Sequence, residues 1–220
     1  MITLDEKQRA KFLRRAAVPV RFGDTTLDTL TITPGVMISC KRLIERMQTG
    51  AAPIGKGILF HGAPGRGKST IAVATLRTAL MTLPREVLGK EPESDTMRPG
   101  YYSTYTELVA EHKTSWGKSE DADASEDLLR SLYGRHNRGW WNTRLLVLDD
   151  VGKEHNGGSG FTVNTLHDLL RSRYDKAFPT IITTNLTPAQ FDPVYGGAMA
   201  SFIHEAFDIV EVTGKDRRRA

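Results

Sequence analysis

Hydrophobic and polar positions follow two rhythms along this chain. Short, nearly unbroken runs of apolar and β-branched residues occupy 57–61 (GILFH), 101–105 (YYSTY), 144–150 (RLLVLDD), 179–185 (PTIITTN) and 207–212 (FDIVEV). Runs this short predict buried strands. Between them, helical spacing is found over 4–16, 36–48, 70–81, 106–114, 126–134, 161–177 and near 198–206. In 161–177, Val163, Leu166, Leu169, Leu170 and Tyr174 fall on one side, as in a helix lying on a sheet. Residues 84–100 are rich in Pro, Gly and charge and predict a loop. Residues 116–127 read as a flexible acidic loop, 154–160 (EHNGGSG) as a flexible turn, and 18–30 as an irregular segment. No internal repeat is present. Strands alternating with helices predict an α/β protein, a parallel sheet with helices on both faces.

Composition narrows the class. The 220 residues suit one domain of ordinary size, and 39% hydrophobic with 25% charged residues is a globular balance. No apolar run approaches the roughly 18 residues of a membrane span, so no membrane partner is expected. The first residues mix acids and bases and do not resemble a signal peptide; with a single cysteine, Cys40, a cytoplasmic location is expected. The six histidines are scattered without metal-ligand spacing. The net charge of +4 is unevenly spread. Lys7, Arg9, Lys11, Arg14 and Arg15 crowd the start, and Lys215, Arg217, Arg218 and Arg219 the end, with an acidic block (Glu120, Asp121, Asp123, Glu126, Asp127) between. The basic ends fit solvated tails and DNA-contacting segments equally.

The chemistry concentrates where strands end. Gly62-Ala63-Pro64-Gly65-Arg66-Gly67-Lys68-Ser69, followed by Thr70, fits G-x-x-x-x-G-K-[ST] between a predicted strand and a predicted helix. Glycines let backbone N–H groups turn inward toward phosphate oxygens, and the helix that follows adds the positive end of its dipole. Lys68 then reaches the β- and γ-phosphates and Ser69 places a hydroxyl on Mg²⁺. The strand 144–150 delivers Asp149 and Asp150 at its carboxyl end, the edge where ligands bind in open α/β sheets. Asp149 is a candidate Mg²⁺ ligand, directly or through water, and Asp150 a candidate general base for an attacking water. Asn185 ends the next strand, either as a polar group facing a γ-phosphate or as a simple turn residue.

The order of these motifs resembles Walker A, Walker B and sensor 1 of the AAA+ ATPases. The resemblance is strongest to the DnaC/IstB group of replicative-helicase loaders and transposition helper ATPases, and spans roughly residues 16–219. It rests on AVPVRFGDTTLDTL, LLVLDDVGKE, LHDLLRSRYDKAFPTIITTNL and FDIVEVTGKDRRR. It implies a P-loop NTPase of the AAA+ (ASCE) type with strand order 5-1-4-3-2, ATP and Mg²⁺ as cofactors, and Asn185 as the γ-phosphate sensor. It also implies ATP-dependent self-assembly and, as partners, single-stranded DNA with a hexameric replicative helicase or a transposase. An N-terminal basic helix (1–16) then precedes an AAA+ domain (17–220), as a reduced docking element or as a cover on the core.

One departure bears on catalysis. Where the group carries Tyr-Gly-Glu-Arg-hydrophobic-x-Ser-Arg, this chain has Tyr195-Gly196-Gly197-Ala198-Met199-Ala200-Ser201-Phe202. Phe202 stands in the place of an arginine finger, a group worth orders of magnitude in phosphoryl transfer. Weak hydrolysis is expected, or a finger from elsewhere, with Arg171 and Arg173 as candidates against a solvated helix face; Phe202→Arg is then expected to raise turnover. Trp116, Trp140, Trp141, Tyr101 and Tyr102 are candidates for stacking on bases or for core packing. Two other functions fit the phosphate loop alone: a small-molecule phosphotransferase, and an ATP-gated binding protein that hydrolyses slowly.

Overall fold

A computed structural model describes residues 6–88, 97–153 and 160–216. β1 (Gly57–His61), β2 (Gly100–Thr104), β3 (Leu145–Val151), β4 (Thr180–Thr184) and β5 (Phe207–Glu211) form one parallel sheet in the order β2-β3-β4-β1-β5. This is the expected order 5-1-4-3-2, read from the other edge. All five predicted strands form, each within a residue of its expected bounds.

The period-two alternation of each strand divides the core. Ile58, Phe60, Val147 and Ile181 point to one face, where they meet α1 (Glu6–Arg15), α2 (Pro34–Thr49) and α3 (Lys68–Thr82). Leu59, Leu146, Leu148 and Ile182 point to the other, beneath α5 (Tyr105–Thr114), α6 (Glu120–Leu132), α7 (Phe161–Asp175), α8 (Pro188–Tyr195) and α9 (Gly197–Ala206). A short α4 (Arg85–Leu88) completes the set within the segment expected as a loop. The remainder of that loop, 89–96, lies outside the described residues, as do residues 154–159 of the expected turn and Arg217, Arg218 and Arg219.

α1 covers the core. Phe12 and the following Ala16 are fully buried, Arg9 donates to the Leu80 carbonyl (2.9 Å), and the Ala16 carbonyl accepts from Tyr102 N–H (2.7 Å). That last bond occupies the open edge of β2, which would otherwise offer unpaired backbone groups.

The acidic stretch departs from expectation, because the helix expected over 126–134 already begins at Glu120 and runs to Leu132. The Ser119 hydroxyl accepts from Ala122 N–H (3.2 Å), and Glu120, Asp121 and Asp123 occupy the first turn, where the helix dipole favours negative charge. Ala122, Ser125, Leu128, Leu129 and Leu132 are buried at helical spacing. Acids that read as loop charge are N-terminal helix charge. α8 was also unforeseen; Pro188 opens it, and Thr187 N–H donates to Gln190 Oε1 (2.8 Å) in a capping box.

Candidate functional site

The turn from β1 into α3 wraps around the Lys68 side chain. Lys68 is buried, and its Nζ donates to the carbonyls of Gly62 (2.7 Å) and Ala63 (2.9 Å) and to Asn185 Oδ1 (2.8 Å). Two glycines are required by the backbone. A Cβ on Gly62 (φ 136°) would lie 2.7 Å from the Val212 carbonyl oxygen, and Gly65, beside the Asp216 carboxylate, takes a left-handed φ of 77° that other side chains rarely adopt. The Arg66 guanidinium donates to the Gly214 carbonyl. The segment after β5 is therefore packed along one flank of the loop.

Above the loop lies a cleft of about 510 Å³, lined by Pro64, Gly65, Arg66, Gly67, Lys68, Ser69 and Thr70, with Asp150, Lys153, Asn185, Arg21 and Phe22 around them. Four of its lining side chains are cationic (Arg21, Arg66, Lys68, Lys153) and one is acidic (Asp150), a field suited to a polyanion. Arg66 also borders a second cleft, of about 330 Å³, whose other walls include Ile32, Val36, Ile71 and Val212.

The two acids of β3 have different surroundings. Asp149 is fully buried behind the cleft; Tyr102 OH donates to its Oδ2 (2.7 Å) and the Thr183 hydroxyl to its Oδ1. Burial and the adjacent carboxylate push the Tyr102 phenol well above its usual range, so it remains a donor. Asp150 follows at a register shift between Leu148 and Val151 and takes φ 59°, a left-handed conformation that Asp tolerates better than most residues. Its N–H donates to Thr183 Oγ1 (3.0 Å), and its carboxylate lines the cleft in an ion pair with Lys153 (2.8 Å). Lys68, Ser69, Asp150 and Asn185 thus meet at one cleft. Asp149 stands one layer behind.

Phe202 is a core residue. It is buried, with edge-on contacts to Tyr174 (5.6 Å between ring centres) and Phe207 (6.5 Å), and the Arg171 guanidinium lies 4.8 Å over its ring. Arg173 is fully buried and binds the carbonyls of Leu132 (2.6 Å), Thr143 (3.0 Å) and Pro179 (3.0 Å) and Thr180 Oγ1 (2.8 Å). It has no route to a neighbouring subunit. The expectation for Phe202→Arg is therefore reversed. A guanidinium placed against Tyr174 and Phe207, beside the Arg171 guanidinium, loses its hydration at a cost of several kcal/mol. A lowered midpoint in thermal unfolding checks this, in place of faster turnover.

Other candidates separate as well. Trp116 exposes 66% of its surface beside Phe161 (5.2 Å), whereas Tyr102 is buried on Asp149 and Trp141 packs against His136 (4.7 Å). Tyr101 is half-buried, with Arg98 5.9 Å from its ring centre; the Trp140 side chain lies outside the described part of the structure. Sequence reasoning missed Arg21, Phe22, Lys153 and Thr183. The signal for Arg21 and Phe22 was their place in AVPVRFGDTTLDTL; for Lys153 it was its place after the acids; Thr183 was read as strand.

Comparison of folds places this architecture. The structure superposes on a DnaC helicase loader with a TM-score of 0.62, 25% sequence identity, and coverage of 89% of this chain and all of that one. DnaI gives the same TM-score at 21% identity over 97% of this chain and all of that one. The fold is that of a DnaC-type AAA+ protein. AMPPCP-bound DnaA from Aquifex aeolicus also matches, at 16% identity and a TM-score of 0.55, over 89% of this chain and 52% of that one. No protein-family model matches the sequence, and no curated protein does. In this AAA+ sheet the cleft sits at the carboxyl ends of β1, β3 and β4, where the chain has its lysine, acids and asparagine. Among the described residues, no helix is long and apolar enough to cross a membrane.

Proposed function

We propose that this chain binds and hydrolyses ATP and acts in DNA replication, loading or remodelling a replicative helicase on single-stranded DNA. The observation that carries the first half is the cationic cleft in which Lys68, Ser69, Asp150 and Asn185 converge. The second half is carried by likeness to the helicase loader. The triphosphate would lie along Gly62–Thr70, with Lys68 turning from its carbonyl acceptors to the β- and γ-phosphates. The base would enter the adjoining cleft between Ile32, Val36, Ile71 and Val212, whose walls are largely apolar.

The oxygen donors at the cleft suit Mg²⁺. Ser69 would hold it, and Asp149, buried and tied by two hydroxyls, would act on it through water. When bound, the ion neutralises phosphate charge. Asp150 is the carboxylate that faces the cleft, so it would accept the proton of the attacking water; Lys153 holds it meanwhile in the ion pair. Asn185 would bind the γ-phosphate or that water through its amide.

Asp150→Asn tests the assignment. The variant is expected to retain ATP affinity and to lose about 10²–10⁴-fold in turnover, the contribution of a general base, read as phosphate release with and without single-stranded DNA and helicase. Normal turnover would remove Asp150 from the chemistry. A second reading, an ATP-gated binding protein that hydrolyses slowly, is favoured by one observation: Phe202 is built into the core where the group has its arginine. Tight ATP binding without turnover under every addition would select it. ATP-dependent assembly, read by light scattering with and without ATP, is expected under both readings.

A further inference from the structure

We propose that Arg21 contacts the terminal phosphate of the bound nucleotide, from within the same chain. This rests on the reading that the cleft holds ATP. Arg21 lies in sequence far ahead of the phosphate loop, and the fold brings it there. It sits in the 3-10 turn Val20–Phe22, closed by Phe22 N–H to the Pro19 carbonyl (3.1 Å) and Gly23 N–H to the Val20 carbonyl (2.9 Å). Phe22 meets Tyr102 edge-on (6.0 Å), and farther along Leu27 N–H donates to Thr78 Oγ1 (3.0 Å) on α3. The turn is thereby held against β2 and α3, with Arg21 on the wall of the cleft.

Its bonding state sets Arg21 apart from the other cations there. Lys68 has three acceptors, Arg66 has the Gly214 carbonyl, and Lys153 has Asp150. Arg21 makes no hydrogen bond or ion pair to any described residue; its guanidinium rests 4.9 Å from the Phe22 ring centre. Stacking on an aromatic face restrains a guanidinium and leaves its in-plane N–H donors available. Those donors match phosphate oxygens.

The sheet order picks the phosphate. The second cleft, proposed for the base, lies beside Val212 at the β5 side, and the loop rises from β1. A nucleotide running from there across Gly62–Ser69 ends toward β3 and β2, where Asp150, Lys153 and Arg21 stand. Arg21 thus brings positive charge to the end of the cleft where bond cleavage takes place. The buried Arg173 cannot do so.

The test uses the full chain with Mg²⁺, measuring equilibrium binding of ATP and ADP to wild type, Arg21→Ala, Arg21→Lys and Lys68→Ala. Arg21→Ala is expected to weaken ATP about tenfold, the scale of one charge-assisted hydrogen bond, while ADP binding is unchanged; Arg21→Lys should fall between. Turnover of Arg21→Ala should fall and should not recover on mixing with Lys68→Ala. Equal loss of ATP and ADP, an unchanged ATP preference, or recovery of turnover in the mixture would each overturn the proposal, the last by showing action between subunits. If wild type binds neither nucleotide, or Lys68→Ala binds ATP normally, the nucleotide reading itself fails. Intact Lys68-dependent binding with an indifferent Arg21 overturns only the present inference.

Discussion

Lys68→Ala is expected to lose about a hundredfold or more in ATP affinity while remaining folded. The ammonium is held at the cleft by the Gly62 and Ala63 carbonyls and Asn185 Oδ1, all within 2.9 Å. These acceptors keep a charged group poised where the proposed phosphates would lie. A charge-assisted hydrogen bond contributes about 1.5–3 kcal/mol, and Lys68 would supply one to each of two phosphates. At about 1.4 kcal/mol per factor of ten, two such bonds account for the loss. Water entering the open cleft can satisfy the three acceptors left behind, so the fold should survive. Fluorescence titration with a labelled nucleotide reads the affinity, and circular dichroism the fold. Wild-type affinity in a folded variant would mean that the cleft does not grip a nucleotide through this loop.

Arg173→Ala should act on stability instead, by about 3–5 kcal/mol, because each buried acceptor left without its donor costs about 1–3 kcal/mol. The guanidinium ties the end of α6 at Leu132 to Thr143, Pro179 and the first residue of β4. Burial, with Arg144 nearby, pushes its pKa down to about 9, a measure of how much hydration it has given up. Alanine would take a donor from four acceptors, of which the Pro179 carbonyl keeps Leu146 N–H, and open a cavity. Lysine, a point charge without the planar fork, should restore little. Against a total stability of about 5–15 kcal/mol, the loss is large and is read directly by urea denaturation. A catalytic arginine would behave oppositely, with unchanged stability and lost turnover.

The strands were legible because a parallel sheet covered on both faces needs nearly continuous apolar runs, and ILF, LLVL and TIITT supply them. The phosphate loop was legible because its glycines answer to local geometry. What escaped depended on distant partners. LLVLDD contains no sign of the register shift that buries Asp149 and turns Asp150 outward. Tyr102 read either as a stacking ring or as a core residue, and only the pairing of β2 with β3 shows its hydroxyl on Asp149. Phe202 was compared by position with an arginine, although Met199, Phe202, Ile203 and Ala206 already formed a helical apolar face. The first turns of α6 were hidden by counting charge before period.

The place of β1 in the sheet has a consequence for how the protein is made. Ile58 pairs with Ile181 on one side and with Asp208 on the other. On the ribosome, the strand that carries the phosphate loop emerges more than a hundred residues before either neighbour and waits for both β4 and β5 to be translated. Such long-range pairings form slowly. The loop's other supports, Asn185, Val212 and Gly214, emerge just as late. If the cleft holds ATP as proposed, its capture therefore waits for residues 185–214, and chains truncated before β4 should fail to bind the nucleotide.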